Sequence, residues 1–275
     1  MSDLIAARHG VFEDMANEVY HSGREISKSG VDVGMLSMLH YYERFLKEGR
    51  EPKESTPQQG IGIAGHCKVL EPKRFPLTYF RAPLDERRGT KKWNEAQAAN
   101  PGKIPLKPEE WDLIEAIDKA VSRHPAASLL LGKEGRAECS VFFNDPVTGL
   151  PCKCRPDYWT SDGIVIDLKT TMCAAPGAFR RQAFDYKFHI SAAMTLNGIE
   201  AATGERPWSY VFVAVEKDPV CVAVYAADED FIQAGQRALN EILPKFKECF
   251  DTNVWPGYPT TIETLSLPEW VKNRF

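Results

Sequence analysis

Nowhere in this chain does an apolar run approach the roughly 20 residues that a membrane-spanning helix needs. The opening MSDLIAARHG also lacks the pattern of a secretory leader. Both absences lead us to expect a cytoplasmic protein that makes no use of a membrane. A strong charge of one sign is missing too: 34 Lys+Arg stand against 38 Asp+Glu, a formal net charge of −4. That balance argues against a bulk electrostatic binder of nucleic acid. It still allows a basic channel beside clustered carboxylates. Cysteines number only 7, an odd count scattered through apolar segments, which fits reduced thiols rather than a disulfide framework. Cys152-x-Cys154 has no second pair or histidine at zinc spacing, so we read it as structural. No glycine-rich lead-in precedes Lys169-Thr170-Thr171, which excludes a phosphate-binding P-loop. Internal repeats and low-complexity tracts are absent as well.

What is present is the composition of a soluble globular protein, 43% hydrophobic and 26% charged over 275 residues. We expect one domain: an N-terminal helical part over 1–60, a core over 60–250 and a tail over 251–275. Residues 1–26 show no strong pattern. Ser27 or Ser29 can cap one helix running to Gly49. Polar residues 50–59 read as a loop, and 60–72 as a short buried helix stopped by Pro72. Residues 82–107, with few apolar side chains, read as a long mobile surface segment. Pro108 and two acids open a helix over 108–124, and a short helix covers 125–131.

The period then changes from helical to alternating. Residues 137–145, 150–159 and 164–170 read as three consecutive antiparallel strands. One helix follows over 176–198, ended near Gly198, and then a hairpin over 209–217 and 220–227. A final helix opening on Asp228-Glu229-Asp230 should be interrupted at Pro244. The fold class is α/β (α+β): a central mixed sheet with an antiparallel meander, flanked by helices.

The chemistry is concentrated in CKCRPDYWTSDGIVIDLKT, residues 152–170. Side chains alternate faces along a strand, so Asp167 and Lys169 point the same way. A turn at Ser161-Asp162-Gly163 can bring Asp157 alongside them. Two carboxylates and a lysine on one face can hold a divalent cation with a general base or charge stabiliser beside it. Read alone, the same residues also fit a structural ion pair at a strand end. Glu138, in the preceding strand, fits either the same site or a solubilising edge charge. His66, in the small-residue context GIGIAGH, fits either a core histidine or a ligand. Basic residues gather at Arg87-Arg88 with Lys91-Lys92, at Arg155, and at Arg180-Arg181 with Lys187; each alone reads as a solvated face.

In order, Gly62-x-x-x-His66, Asp157 and Asp167-Leu168-Lys169-Thr170 resemble the RecB-type branch of the PD-(D/E)xK nucleases. ISKSG at 26–30, GHCKVLEP at 65–72, CKCRPD at 152–157, DLKTT at 167–171 and FDYKFHISAAM at 184–194 are similar to RecE-type (exonuclease VIII) nuclease domains, relatives of lambda exonuclease. The resemblance spans roughly 20–230 and implies a PD-(D/E)xK nuclease-like fold. It further implies a Mg²⁺-dependent exonuclease that degrades linear double-stranded DNA from the 5′ end and leaves 3′ single strands for recombination. Two Mg²⁺ per site are expected, with Mn²⁺ able to substitute. By the same resemblance His66, Asp157, Asp167 and the Leu168 carbonyl hold metal, Glu138 supports the site, and Lys169 activates the attacking water. The implied partners are DNA ends, further copies of the chain in a trimeric or tetrameric ring, and a single-strand annealing protein. Alternatives are an endonuclease of the same superfamily or a non-catalytic DNA-binding relative. The family expects Gln in a Tyr-His-x-Gln pattern where this chain has Phe188-His189-Ile190-Ser191, while Gln182-x-x-x-Tyr186 matches a looser family motif. Either Gln182 or Ser191 can fill that role. Arg180, Arg181, Gln182, Tyr186 and Ser191 are therefore the candidate DNA contacts.

Overall fold

Local signals and long-range pairing divide the work of building this chain. The computed structural model describes residues 8–49, 57–83 and 87–267. The patternless N-terminus forms β1 (Gly10–Phe12) and α1 (Asn17–Ser22). β1 exists because a later strand accepts it as an edge. Ser27 caps α2 (Lys28–Gly34), its hydroxyl accepting the Gly30 N–H at 3.3 Å. The single helix expected to reach Gly49 breaks instead. Ser37 offers a second cap, accepting the His40 N–H at 3.2 Å, and starts α3 (Met38–Tyr41), which runs into a π-helical turn over Tyr42–Leu46. Of the expected loop over 50–59, residues 50–56 lie outside the described residues and 57–59 already belong to α4 (Pro57–Leu70).

After α5 (Phe75–Thr78) and β2 (Tyr79–Arg81) comes the segment expected as a mobile surface stretch over 82–107; residues 84–86 lie outside the described residues, and the stretch 87–107 is not of that kind. It contains α6 (Lys91–Ala99) and β3 (Ile104–Leu106), which pairs parallel to β2. Buried Trp93 and Leu106 anchor it, and Arg88 donates to both Glu110 oxygens at 2.7 and 2.8 Å. A few large apolar side chains and one ion pair hold a segment that is polar on average. Glu110 also caps α7 (Pro108–Arg123), accepting the Lys107 N–H at 2.9 Å, and α8 (Pro125–Leu131) follows.

The expected three-strand meander is split over two sheets. β4 (Gly135–Ala137) and β5 (Ser140–Asn144) divide its first strand, and β6 (Pro151–Cys154) and β7 (Tyr158–Thr160) divide its second. One sheet runs β1-β5-β6. In the other, β4 forms one edge and pairs with β7, which pairs with β8 (Ile164–Thr171); β8 is parallel to β9 (Ser209–Lys217), and β10 (Val220–Ala226) forms the far edge. The long hairpin thus bends from one sheet into the other at Glu138 on one strand and Arg155-Pro156-Asp157 on its partner. Pro156 has no N–H for a ladder, and Glu138 takes a left-handed φ of 49°.

Between β8 and β9 the expected single helix is two: α9 (Pro176–Asp185) and α10 (Phe188–Thr203), hinged at Lys187 with φ 56°. The hinge lets Phe179 and Ala183 of α9 and Ile190, Ala193 and Met194 of α10 all reach the same core. Gly198 does not end the helix. A Cβ there would lie 2.6 Å from the Phe143 ring and 2.9 Å from Cys154 Sγ, so this glycine lets α10 press onto the small sheet. The stop is Gly204, left-handed at φ 82°. The last helix, α11 (Glu229–Thr252), carries exposed Pro244 inside it without interruption, because Leu239, Ile242, Leu243 and Phe246 are buried on both sides of it.

The five-stranded sheet separates two cores. Ile164, Ile166, Leu168, Val211, Val213 and Val215 face α7 and α8. Val165, Tyr210 and Phe212 face α10 and α11, in a cluster that reaches from Ile26 to Cys249 and so joins both ends of the chain. Of the tail, Trp255 stacks on Tyr41 at 5.9 Å, while Ile262, Leu265 and Leu267 are exposed; 268–275 lie outside the described residues.

Candidate metal and catalytic site

The bend of the hairpin builds the site. Where the two strands cross between sheets, the Glu138 N–H donates to the Asp157 carbonyl at 3.0 Å, so the two acids leave the ladder together. The next strand closes in from the other side: the Leu168 N–H donates to Asp157 Oδ2 at 2.7 Å. His66, on α4, reaches the same oxygen with Nδ1 at 3.5 Å. His66, Glu138 and Asp157 each offer a ligand atom, and these atoms lie within 4.8 Å of one another. Asp167 is outside that group. Its Oδ1 is paired with Lys169 Nζ, and its Oδ2 accepts the Tyr210 hydroxyl at 2.7 Å. The side chains of His66, Asp157 and Lys169 retain 24%, 17% and 25% exposure, so the site is recessed but open.

The electrostatics sort these groups. Burial, and then the neighbouring Asp157 charge, push the Glu138 carboxyl up to about 8. Burial also raises Asp157, to about 6, against the pull of His66 and Lys169. For Asp167 burial acts upward too, but the Lys169 ammonium and the hydrogen bonds from Lys169 and Tyr210 hold it below the ordinary range. Lys169 is raised: Asp167 and Asp157 outweigh the cost of burying its charge, and the ammonium lies 5.1 Å from the Phe188 ring centre. Glu138 and Asp157 are therefore crowded carboxylates whose charged forms a cation would favour. One imidazole nitrogen and two carboxylates suit Mg²⁺ or Mn²⁺, so the residues present fit a divalent metal.

The remaining sequence candidates fall elsewhere. Arg180 and Arg181 are exposed on α9, which leads away from the end of β8. Gln182 Oε1 accepts the Thr171 hydroxyl, tying α9 to β8. Tyr186 is exposed, with its carbonyl accepting Lys28 Nζ at 2.8 Å. Ser191 lies beside the Tyr210 phenol. Arg155 is structural: it donates to Ser140 Oγ at 2.6 and 3.1 Å and to the Met15 carbonyl at 3.1 Å, and sits 4.2 Å from the Tyr20 ring centre. Tyr210 was missed. Its signal was a lone phenol in the buried strand SYVFVAVEK, since a buried Tyr hydroxyl needs a partner.

A mixed sheet that delivers an acid, a second acid and a lysine to one recess, with a helical histidine above them, defines the PD-(D/E)xK nuclease class of fold. The chain belongs to the PDDEXK-like domain of unknown function family (DUF3799), which matches residues 39–268. This is the superfamily that the ordered sequence motifs resemble. Among solved structures, an exonuclease candidate from Eubacterium rectale aligns over 94% of this chain and 97% of its own, with a TM-score of 0.62 at 13% identity. That likeness is one of fold. A second structure covers 47% of this chain and 67% of its own at 16% identity, and its TM-score of 0.27 bears no weight. None of the curated proteins matches the chain.

Proposed function

We propose that this protein is a Mg²⁺-dependent exonuclease that degrades linear double-stranded DNA 5′→3′. The observation that carries the reading is the His66–Glu138–Asp157 cluster beside the paired Asp167 and Lys169. The superfamily supports nucleic-acid hydrolysis. The exonuclease candidate with the same fold supports action at ends. Polarity, 3′ tails for recombination, a ring of copies and an annealing partner rest on the RecE-type resemblance of the motifs.

In this reading His66, Glu138 and Asp157 hold one cation, and Asp157, Asp167 and the Leu168 carbonyl are the donors for a second. Cations held there would supply Lewis-acid activation of the scissile phosphate and of the attacking water. Lys169 orients that water and offsets the charge that develops on the phosphate. Arg180 and Arg181 contact backbone phosphates beyond the recess. With a net charge of −4, grip on the duplex requires several copies to line a channel with these residues.

Digestion of 5′-labelled and 3′-labelled linear duplexes, with and without Mg²⁺, tests activity, polarity and metal together. Early release of the 5′ label only with Mg²⁺ is expected. Cleavage of a covalently closed circle would make the protein an endonuclease. Binding without hydrolysis of any duplex would leave a non-catalytic relative.

A further inference from the structure

Asp167 has both oxygens engaged, and the two partners differ in kind. Lys169 Nζ, on Oδ1, is charged and partly exposed. The Tyr210 hydroxyl, on Oδ2 at 2.7 Å, belongs to a buried ring on the adjacent parallel strand. The register explains the contact: Val165 pairs with Tyr210 and Asp167 with Phe212, so Tyr210 and Asp167 are diagonal neighbours on one face of the sheet. The Tyr210 ring is packed 5.1 Å from Phe212, and Ser191 of α10 stands beside its hydroxyl. Ser191 occupies the position where the family motif places glutamine.

We propose that Tyr210 is a positioning residue for the second of the two cation sites, the one to which Asp167 contributes. Its hydroxyl takes one lone pair of Oδ2 and fixes the carboxylate, so Oδ1, the oxygen that Lys169 now holds, is the freer donor for a metal once the ammonium gives way. Ser191 acts through the same phenol, as a brace behind the site rather than a DNA contact. This rests on the nuclease reading above. One consequence is specific. Lys169 and a cation compete for the same oxygen, whereas Tyr210 and a cation cooperate, because a pinned carboxylate loses less freedom on ligation.

The test is calorimetric titration of the whole protein with Mn²⁺ and no DNA. Tyr210→Phe is expected to weaken Mn²⁺ binding by about 10-fold or more, and Lys169→Met to leave it as tight or tighter. A purely structural role for both residues would move affinity in one direction. Unchanged affinity in folded Tyr210→Phe overturns the proposal, as does equal weakening in both variants. Should Tyr210→Phe fail to fold, Ser191→Ala decides: a weakening of a few fold supports the brace and no change overturns it. Wild-type protein that neither binds Mn²⁺ nor cuts DNA would sink the nuclease reading itself. Wild type that does both, with Tyr210→Phe binding normally, sinks only this inference.

Discussion

At Lys169 the chain keeps a half-buried ammonium charged by setting it against Asp167 and Asp157. Lys169→Ala should lower digestion of linear duplex by at least about 100-fold with the far-ultraviolet circular dichroism unchanged. Activity near wild type counts against the assignment. Glu138 and Asp157 make the metal-free protein sensitive to pH. Their folded-state values, about 8 and about 6, lie above the ordinary carboxylate range, so the folded chain binds more protons than the unfolded one. Their contribution to stability is full at low pH and is lost as pH rises through those values. In chelator the Tm should fall by about 2–4 °C or more between roughly pH 5 and pH 8, and millimolar Mn²⁺ should flatten the profile. A flat profile in chelator would mean the carboxylates are not crowded. That Asp167 and Lys169 share a face was legible because strand alternation is a local rule, and the turn signal at Ser161-Asp162-Gly163 pointed to Asp157 beside them. Tyr210 was not legible, because its hydroxyl finds Asp167 across a strand pairing that spans 43 residues.

Elements are legible in the sequence where one period governs them and hidden where a distant partner does. The helix over 108–124 and the hairpin around Asp218-Pro219 need only their own residues. The second strand of the meander crosses to another sheet at Pro156, and no periodicity within it announces that crossing. Gly198 looked like a terminator because its neighbours Phe143 and Cys154 are distant in sequence. Gly198→Val should therefore destabilise the protein by about 2 kcal/mol or more, read as a shift in the urea midpoint; a neutral effect would deny the close approach of α10 to the small sheet. Lys153 of β6 gives a second test. It is buried, donates to the Tyr20 and Gly23 carbonyls at 2.7 and 2.9 Å, and lies 3.7 Å from Glu25. Lys153→Ala strands those acceptors and should cost about 3 kcal/mol in the same assay.

For the whole molecule, one apolar cluster joins α2 and α3 near the start to α11 near the end, with α10 and both sheets between them. Phe246 is its pivot, fully buried and 4.6 Å from the Tyr41 ring. Phe246→Ala should cost about 3–5 kcal/mol and lower the Tm seen by near-ultraviolet dichroism and by loss of Mn²⁺ binding together, since one core carries the site. Two separate transitions would show that the N-terminal helices fold apart from the sheet. The sequence by itself determined the kinds of side chain available for catalysis, their order and most element types, because alternation, capping and helical period act between near neighbours. Only the tertiary structure decided that residues 87–107 carry a helix and a paired strand, that the meander is shared by two sheets, and that Glu138 joins Asp157 and His66 while Asp167 turns to Lys169 and Tyr210. Those outcomes depend on which distant residues exclude water together, and short-range patterns carry no record of that choice.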